Sequence, residues 1–265
     1  MKTILSFLLL SGSLAFCQVF SFADPAFVAG LSGVNVPVNT NPVVLFHFDN
    51  TGSVATFREE ITSNTFSNAY GFADAAGITG RITNGLFTAQ TGFHGLIQPG
   101  IWFKDFTFSV WIKYTNVEEG YKTLISTGWG NPDYPGSLSA FLLWADSGVL
   151  YLASGGAGGL SPTIGTLINN ANWNHYAYTY TAATGLGAFY TNGVLMEANS
   201  VADPGTDFQN AVTWNYFSVG CTDDGNEGQM FNNGLDDLAL FTSPLSAGRI
   251  AEIYSNGTNG IPVSP

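Results

Sequence analysis

The sequence predicts an all-β fold with one short helix near its C-terminal end. Glycine, phenylalanine and tyrosine contribute 32, 21 and 11 of the 265 residues, and charged residues make up 10%, which is a composition of strands and turns. Residues 173–181 place alternate side chains on opposite faces, as a strand does. Asn192 and Gly193 fit the central positions of a type I′ hairpin turn between two further strands. The helical pattern of note covers residues 246–254.

Four segments carry a family resemblance because they occur in a characteristic order. They are VLFHFD at residues 44–49, FTFSVWI at 106–112, WNHYA with FYTNGV at 173–194, and GLDDLALF with PLS at 234–246. They resemble the first strand, the "dfTvsaW" strand, the W-x-H-x-A and Y-x-(D/N)-G hairpin, and the closing strand of laminin G-like, concanavalin A-like domains. The resemblance implies a jelly-roll β-sandwich of two antiparallel sheets over residues 43–257. A flexible lead-in at residues 24–42 precedes it, and a tail at residues 258–265 follows.

Residues 1–23 have the features of a secretory signal peptide. Lys2 supplies a positive charge, residues 4–16 are mostly apolar, and small residues follow, as in cleavable leaders. Cleavage after Ala23 and cleavage after Cys17 both fit, and the sequence leaves the two open. No later stretch approaches 18 consecutive apolar residues, so no transmembrane segment is predicted. We therefore expect a secreted, extracellular protein.

The charge of the chain argues against a nucleic acid partner. Seven Lys and Arg residues stand against 19 Asp and Glu residues, which gives a formal net charge of −12. The basic residues are scattered singly, whereas a phosphate backbone requires clustered Lys or Arg. With cleavage after Ala23, Cys221 is the remaining thiol, so the sequence predicts no intramolecular disulfide.

The carboxylates do not follow the pattern of a glycoside hydrolase. Retaining enzymes place two carboxyl groups about 5 to 5.5 Å apart across the scissile bond. Here residues 59–60, 118–119 and 236–237 are adjacent acidic pairs, and neighbours on a strand point to opposite faces. Asp224 and Glu227 lie in a glycine-rich loop. We therefore expect a protein that is not an enzyme.

Two groups of acidic residues are candidate calcium ligands. The family resemblance implies a structural Ca²⁺ held by Asp49, after the first strand, and Asp236, on the closing strand. Ca²⁺ takes carboxylate and carbonyl oxygens as ligands. Alternatively, Asp49 begins a turn and Asp236 accepts hydrogen bonds from local backbone N–H groups. The second candidate site is the acidic loop that contains Asp223, Asp224 and Glu227. Such a loop is alternatively just a solvated turn.

The loop at residues 129–134 is the candidate ligand-binding site. It places Trp129, Asn131, Asp133 and Tyr134 within six residues. An aromatic ring can stack on the apolar face of a sugar, and amide or carboxylate groups can bind its hydroxyl groups. The same aromatic side chains would alternatively fill an edge of the sandwich. Three tryptophans in strand patterns are assigned to the core: Trp111, Trp144 and Trp173. His175 is interpreted as a structural histidine rather than a ligand.

Three functions remain open from the sequence. The favoured one is a secreted binding module for carbohydrate, with extracellular glycans as partners and Ca²⁺ as a structural cofactor. The alternative is an extracellular structural or cell-adhesion protein that binds surface proteins. The third is a concanavalin-like glycoside hydrolase. Because one fold serves all three roles, the site must separate them.

Overall fold

A computed structural model describes most of the chain after its first 39 residues. The described residues are 40–68, 73–89, 91–97, 105–117, 120, 122–127, 141–153, 163–166, 171–200, 216–221 and 229–265. Within them, 17 strands form two antiparallel sheets and one helix follows the last strand. The predicted signal peptide and nearly all of the predicted lead-in lie outside the described residues.

The two sheets, named sheet A and sheet B, each draw strands from distant parts of the sequence. Sheet A contains β1 (Val44–Phe46), β2 (Ser53–Val54), β5 (Ala75–Thr79), β6 (Asn84–Phe87), β8 (Phe106–Lys113), β13 (Trp173–Thr181), β14 (Leu186–Thr191), β15 (Val194–Ser200) and β17 (Gly234–Phe241). Sheet B contains β3 (Thr56–Arg58), β4 (Thr65–Asn68), β7 (Phe93–Leu96), β9 (Lys122–Thr127), β10 (Phe141–Asp146), β11 (Val149–Ala153), β12 (Thr163–Thr166) and β16 (Tyr216–Val219).

The order of the strands confirms the predicted jelly-roll sandwich. Sheet A runs β15-β14-β13-β8-β17-β6-β5-β2, with β1 also paired to β17, and sheet B runs β12-β11-β10-β9-β16-β7-β4-β3. The predicted hairpin turn is also present, since Asn192 and Gly193 have φ values of 51° and 78°. These positive values are the ones that a type I′ turn requires.

An aromatic core fills the space between the inner faces of the two sheets. Phe46 meets Phe66 edge to face at 4.8 Å between ring centroids, and Tyr178 meets Phe189 at 4.3 Å. Each fully buried side chain of this size contributes about 1.5 to 3 kcal/mol relative to an exposed one. Cys221 is buried and is the one cysteine among the described residues, so no disulfide joins two of them. The stability of the described part therefore rests on packing.

The closing strand β17 departs from strict alternation at its two aspartates. Its register with β8 shifts between Asp236 and Ala239, and Asp237 has a φ of 45°, which together mark a β-bulge. Leu235 and Leu238 both belong to the inner core, so the two aspartates between them point away from it. The prediction that this pair faces opposite ways is therefore wrong. Both carboxylates are also buried, at 1% and 2% exposure.

A helix covers the outer face of sheet A, the face turned away from sheet B. The helix α1 (Ala247–Thr258) begins after Ser246, whose hydroxyl accepts the Arg249 N–H at 3.2 Å as an N-cap. It is one turn longer than the sequence predicts. Its buried side chains, Ile250 and Ile253, join an apolar cluster with the outer residues of sheet A. No helix among the described residues is long and apolar enough to span a bilayer.

The last residues of the chain are also packed against this face. Val263 is 6% exposed and belongs to the same apolar cluster as the helix. Its N–H donates to Asp237 Oδ2 at 3.0 Å, and His47 Nδ1 lies 2.7 Å from the other oxygen of that carboxylate. The bulge thus directs one of its two aspartates to hold the end of the chain.

Two glycines of α1 give a matched test of how closely the helix lies on the sheet. A Cβ at Gly257 would lie 2.7 Å from Trp111 Nε1, whereas a Cβ at Gly248 would meet nothing nearer than 3.9 Å. We expect Gly257→Ala to lower the free energy of unfolding by about 1 to 3 kcal/mol through overpacking. Gly248→Ala should leave it unchanged or raise it by up to about 1 kcal/mol through helix propensity. Urea unfolding of both variants measures this, and equal effects would contradict the contact.

His175 is buried on the outer face of sheet A, beneath the helix. It is 0% exposed, and Nε2 lies 2.8 Å from the Ser109 hydroxyl. Burial lowers the pKa of His175 to about 3. This confirms the structural role that the sequence predicts for it.

The low pKa of His175 predicts acid sensitivity. Below pH 6.5 the unfolded chain binds a proton at this residue while the folded protein does not, down to about pH 3. As the pH is lowered through that window, the free energy of unfolding should therefore fall by about 1.4 kcal/mol per pH unit. His175→Gln should remove this component of the slope in urea unfolding at several pH values. Ser109→Ala, which keeps the imidazole, should retain it. An unchanged slope in the glutamine variant would show that His175 does not titrate this way.

Candidate functional site

A row of side chains crosses the outer face of sheet A where α1 ends. Asp236 on β17 is in register with Trp111 on β8, which is in register with His175 on β13. The row ends at Asn192 in the hairpin turn. Its side-chain oxygen accepts the backbone N–H of His175 at 2.9 Å. Trp111 lies under the helix, with its ring stacked on Tyr254 at 5.6 Å between centroids. The row therefore forms the base on which the last turns of the helix rest.

An open pocket of about 290 Å³, named the outer-face pocket, lies over this row. Trp111 forms its base, and Trp173, at the start of β13, forms one wall. Tyr254 and Thr258 of α1 form another wall, and Arg81 enters from the turn between β5 and β6. Three aromatic side chains and a guanidinium thus border one cavity. Pockets with this mixture of apolar faces and a few polar groups bind small ligands.

The indole of Trp173 lies across strands that carry glycine. A Cβ at Gly85 on β6 or at Gly234 on β17 would come within 3.1 and 3.0 Å of Trp173 Cη2. The indole N–H donates to the Thr79 carbonyl at 3.3 Å. The missing side chains therefore let the ring reach from β13 towards β5, and the hydrogen bond fixes its orientation. Trp173 is partly exposed, so its ring remains available to a ligand.

The polar groups of the pocket are two amides, two hydroxyl groups and one cation. Asn172 and Asn192 line it beside Ala171, and each amide carries both donors and an acceptor. Asn192 is held in place by hydrogen bonds to His175 N and, at 3.0 Å, to Asn174 Oδ1. Among the described residues of the lining there is no acidic side chain. The pocket can therefore bind hydroxyl and anionic groups.

The indole N–H of Trp111 is a buried donor that lies against Gly257 of the helix. Its side chain is 1% exposed, and its indole N–H has no hydrogen-bond partner among the described residues. A buried donor without a partner costs about 1 to 3 kcal/mol.

Arg81 is fixed at the pocket by three contacts. Its Nη2 donates to the Thr258 carbonyl at 2.7 Å, and its guanidinium carbon lies 5.4 Å from the centre of the Trp111 ring, which is a cation–π distance. Its backbone N–H donates to Asp236 Oδ2 at 2.6 Å. The guanidinium thus connects the β5–β6 turn to the end of the helix.

The turn between β5 and β6 lies between the two predicted calcium ligands. Asp236 Oδ2 accepts the N–H groups of Arg81 and Ile82 at 2.6 and 2.9 Å. Asp49 accepts the Thr83 hydroxyl and, at 3.3 Å, the Asn84 N–H. The donors to Asp236 are more than 150 residues away in sequence, so the prediction of local backbone donors is wrong for this residue.

The electrostatics of this turn suit a cation. Burial raises the pKa of Asp236 to about 7, the Ile82 N–H opposes this, and the negative charges of Asp237 and Asp49 add to it. A bound cation would relieve both the burial cost and the repulsion. Among the described residues no three His, Cys, Asp or Glu side chains form a metal-binding group. A Ca²⁺ ion held by Asp49 and Asp236 would therefore need carbonyl or water oxygens as well.

The remaining residues that the sequence analysis singled out have different outcomes. The loop residues Trp129, Asn131, Asp133 and Tyr134, and the acidic residues Asp223, Asp224 and Glu227, lie outside the described residues. Trp111 is buried as predicted but also lines the pocket, and Trp173 is a pocket wall rather than a core residue. Trp144 on sheet B is partly buried and stacks on Tyr151 at 5.5 Å.

Sequence reasoning missed the pocket because its residues come from five separated segments. One signal was available on the helix, where Ile250, Tyr254 and Thr258 recur at intervals of four and so share a face. The second signal was the position of Trp173 at the start of its strand, which leaves its ring at the end of the strand rather than in the middle of the sheet. Arg81 gave no signal beyond being a lone cation in a turn.

A family model and several solved structures are similar to this chain. The laminin G model described as the concanavalin A-like lectin/glucanases superfamily matches residues 94–251, more than half of the chain. No curated protein sequence matches it. Domain 4 of the extracellular arabinanase AbnA from Geobacillus stearothermophilus, solved with arabinotriose, is 16% identical with a TM-score of 0.58. That alignment covers 80% of this chain and 97% of the domain.

In two further similar structures the likeness covers only part of the solved chain. The botulinum neurotoxin serotype D binding domain is 14% identical with a TM-score of 0.55, and the alignment covers 83% of this chain and 53% of that one. The Trypanosoma rangeli sialidase in complex with the inhibitor DANA is 14% identical with a TM-score of 0.52, covering 80% and 32%. The chain thus spans about half of the toxin domain and a third of the sialidase. At these identities the likeness establishes the fold.

Proposed function

The chain belongs to the concanavalin A-like lectin/glucanases superfamily, and from this premise we propose that it is a secreted, non-enzymatic module that binds carbohydrate in the outer-face pocket. The observation that carries the proposal is the pairing of Trp173 and Tyr254 with the Asn172 and Asn192 amides around one cavity. Aromatic faces suit the apolar side of a sugar ring, and amides suit its hydroxyl groups. The extracellular location rests on the N-terminal segment, and N-terminal sequencing of the exported protein tests it.

The described carboxylates support a role in structure rather than in hydrolysis. Glu59 accepts the N–H groups of Leu45, Ile61 and Thr62 at 2.6 to 3.0 Å. Asp237 contacts His47 and the end of the chain, as described above. A general acid and a nucleophile must instead be free to reach one glycosidic bond. Release of reducing sugar from any glycan that binds would overturn the non-enzymatic part of the proposal.

Removal of the Trp173 ring should weaken carbohydrate binding. A glycan array with the mature protein identifies a ligand, and calorimetry measures its Kd. We expect Trp173→Ala to raise that Kd at least roughly tenfold, a loss of about 1.4 kcal/mol, because the stacking wall is lost. Trp173→Phe, which keeps a ring, should lose less. Thermal unfolding of each variant verifies that the protein is folded.

Trp129→Ala is the matched control, since Trp129 belongs to the loop that the sequence favoured. It should leave the Kd unchanged within about twofold if the ligand occupies the outer-face pocket. Loss of binding in Trp129→Ala with none in Trp173→Ala would move the site to that loop. Binding of no glycan by the wild-type protein would favour the adhesion alternative, in which the partner is a surface protein.

We also propose that Asp49 and Asp236 hold a structural Ca²⁺ ion. The support is the raised pKa of Asp236 and the convergence of both carboxylates on the β5–β6 turn. The ion would fix this turn, and with it Arg81, against the closing strand. It would also offset the repulsion among the three neighbouring aspartates.

Calcium should therefore raise the melting temperature of the mature protein relative to EDTA. Ligand linkage stabilises the folded state by about 2.7 kcal/mol at a hundredfold excess over Kd. Asp49→Asn and Asp236→Asn should each reduce or abolish the response. Asp74→Asn should keep the calcium response, because the Asp74 carboxylate accepts a hydrogen bond from the Ser53 hydroxyl and belongs to neither proposed ligand. The same melting temperature in EDTA and in millimolar CaCl₂ would refute the proposal.

A further inference from the structure

Arg81 is an unneutralised cation in an acidic protein. The chain has 19 Asp and Glu residues, yet among the described residues no carboxylate lies within 4.0 Å of the Arg81 guanidinium. Arg249, by contrast, pairs with Glu252 at 2.8 Å. Arg81 is also partly buried, and its charge is therefore less well solvated than that of a surface arginine. The position is suited to a counter-ion that comes with a ligand.

We propose that the outer-face pocket selects a sugar that carries a carboxylate, and that Arg81 binds this carboxylate. The inference rests on the proposed carbohydrate-binding function and names its ligand class. A guanidinium presents its N–H donors as a planar fork, which matches the two oxygens of one carboxylate. Nη2 already donates to the Thr258 carbonyl, so the fork is held in a fixed direction before the ligand arrives.

The surroundings of Arg81 fit one carboxylate on one sugar ring. It is the single charged side chain among the described residues of the lining. The lining therefore lacks the clustered cations of a polyanion site among its described residues. Trp173 and Tyr254 border the same cavity and leave room for a ring beside the carboxylate. Asp236 accepts the backbone N–H of Arg81 and is 1% exposed. Its position behind the turn leaves the guanidinium free to bind an anion.

Paired probes separate the carboxylate from the rest of the sugar. The array carries uronic acid oligosaccharides and sialylated oligosaccharides, each beside its methyl ester, which is neutral and nearly the same in shape, and beside sulfated neutral sugars. For the wild-type protein we expect an acid to bind roughly 10- to 100-fold more tightly than its ester, as for a hydrogen bond to a charged group. The identity of the best acid distinguishes the uronic from the sialic class.

Arg81→Gln should reduce the ratio of acid to ester affinity to about one while the ester still binds. Arg249→Gln is the matched control, because it makes the same change in net charge at the far end of the helix. It should keep the ratio within about twofold. Arg81→Lys should retain part of the preference, since the charge remains but the fork is lost.

The outcomes distinguish this inference from the proposed function. Equal binding of acid and ester by the wild-type protein, with both lost in Trp173→Ala, would overturn the inference of carboxylate recognition. It would leave the proposed carbohydrate site intact. Equal binding of sulfated and carboxylated sugars would also overturn it, because the site would then be a general anion site. No binding of any saccharide would overturn both proposals.

Discussion

The covering of the outer face of sheet A is the constraint on which the rest of this structure depends. Strand β17 is buried along its whole length, so this sheet requires a second layer besides sheet B. The helix α1 and the end of the chain supply that layer. The pocket lies beside the last turns of the helix, where Tyr254 stacks on Trp111. The pocket is the space left between the helix, Trp173 and the β5–β6 turn.

The bulge in β17 links this covering layer to the electrostatics of the site. By directing two successive aspartates to one side, it gives the sheet one carboxylate for the β5–β6 turn and one for the end of the chain. The first places Arg81 at the pocket, and the second holds the layer that forms its wall. A single local departure from strand alternation thus positions groups from three distant segments, and each carboxylate accepts a backbone N–H that the fold brings to it.

Much of the fold was predictable because strand and turn patterns are local. The alternation in residues 173–181, the Asn192-Gly193 turn and the four ordered family motifs each lie within a short stretch of sequence. The bulge was not predictable from alternation, since Asp236 and Asp237 could each face either way until register with β8 was known. The pocket was missed for a similar reason: Arg81, Trp173 and Tyr254 meet through sheet order and helix placement, which no local pattern contains.

The central claim is that ligand binds beside Trp111 and Trp173, and the indole N–H signals of the six tryptophans test it directly. A ¹⁵N-tryptophan sample is titrated with the best glycan from the array, after each signal is assigned by single Trp→Phe variants. The account predicts that the signals of Trp173 and Trp111 shift in a saturable way while those of Trp129 and Trp144 stay in place. Shifts confined to Trp129 or Trp144 would contradict it, and would place the site on the loop or on sheet B.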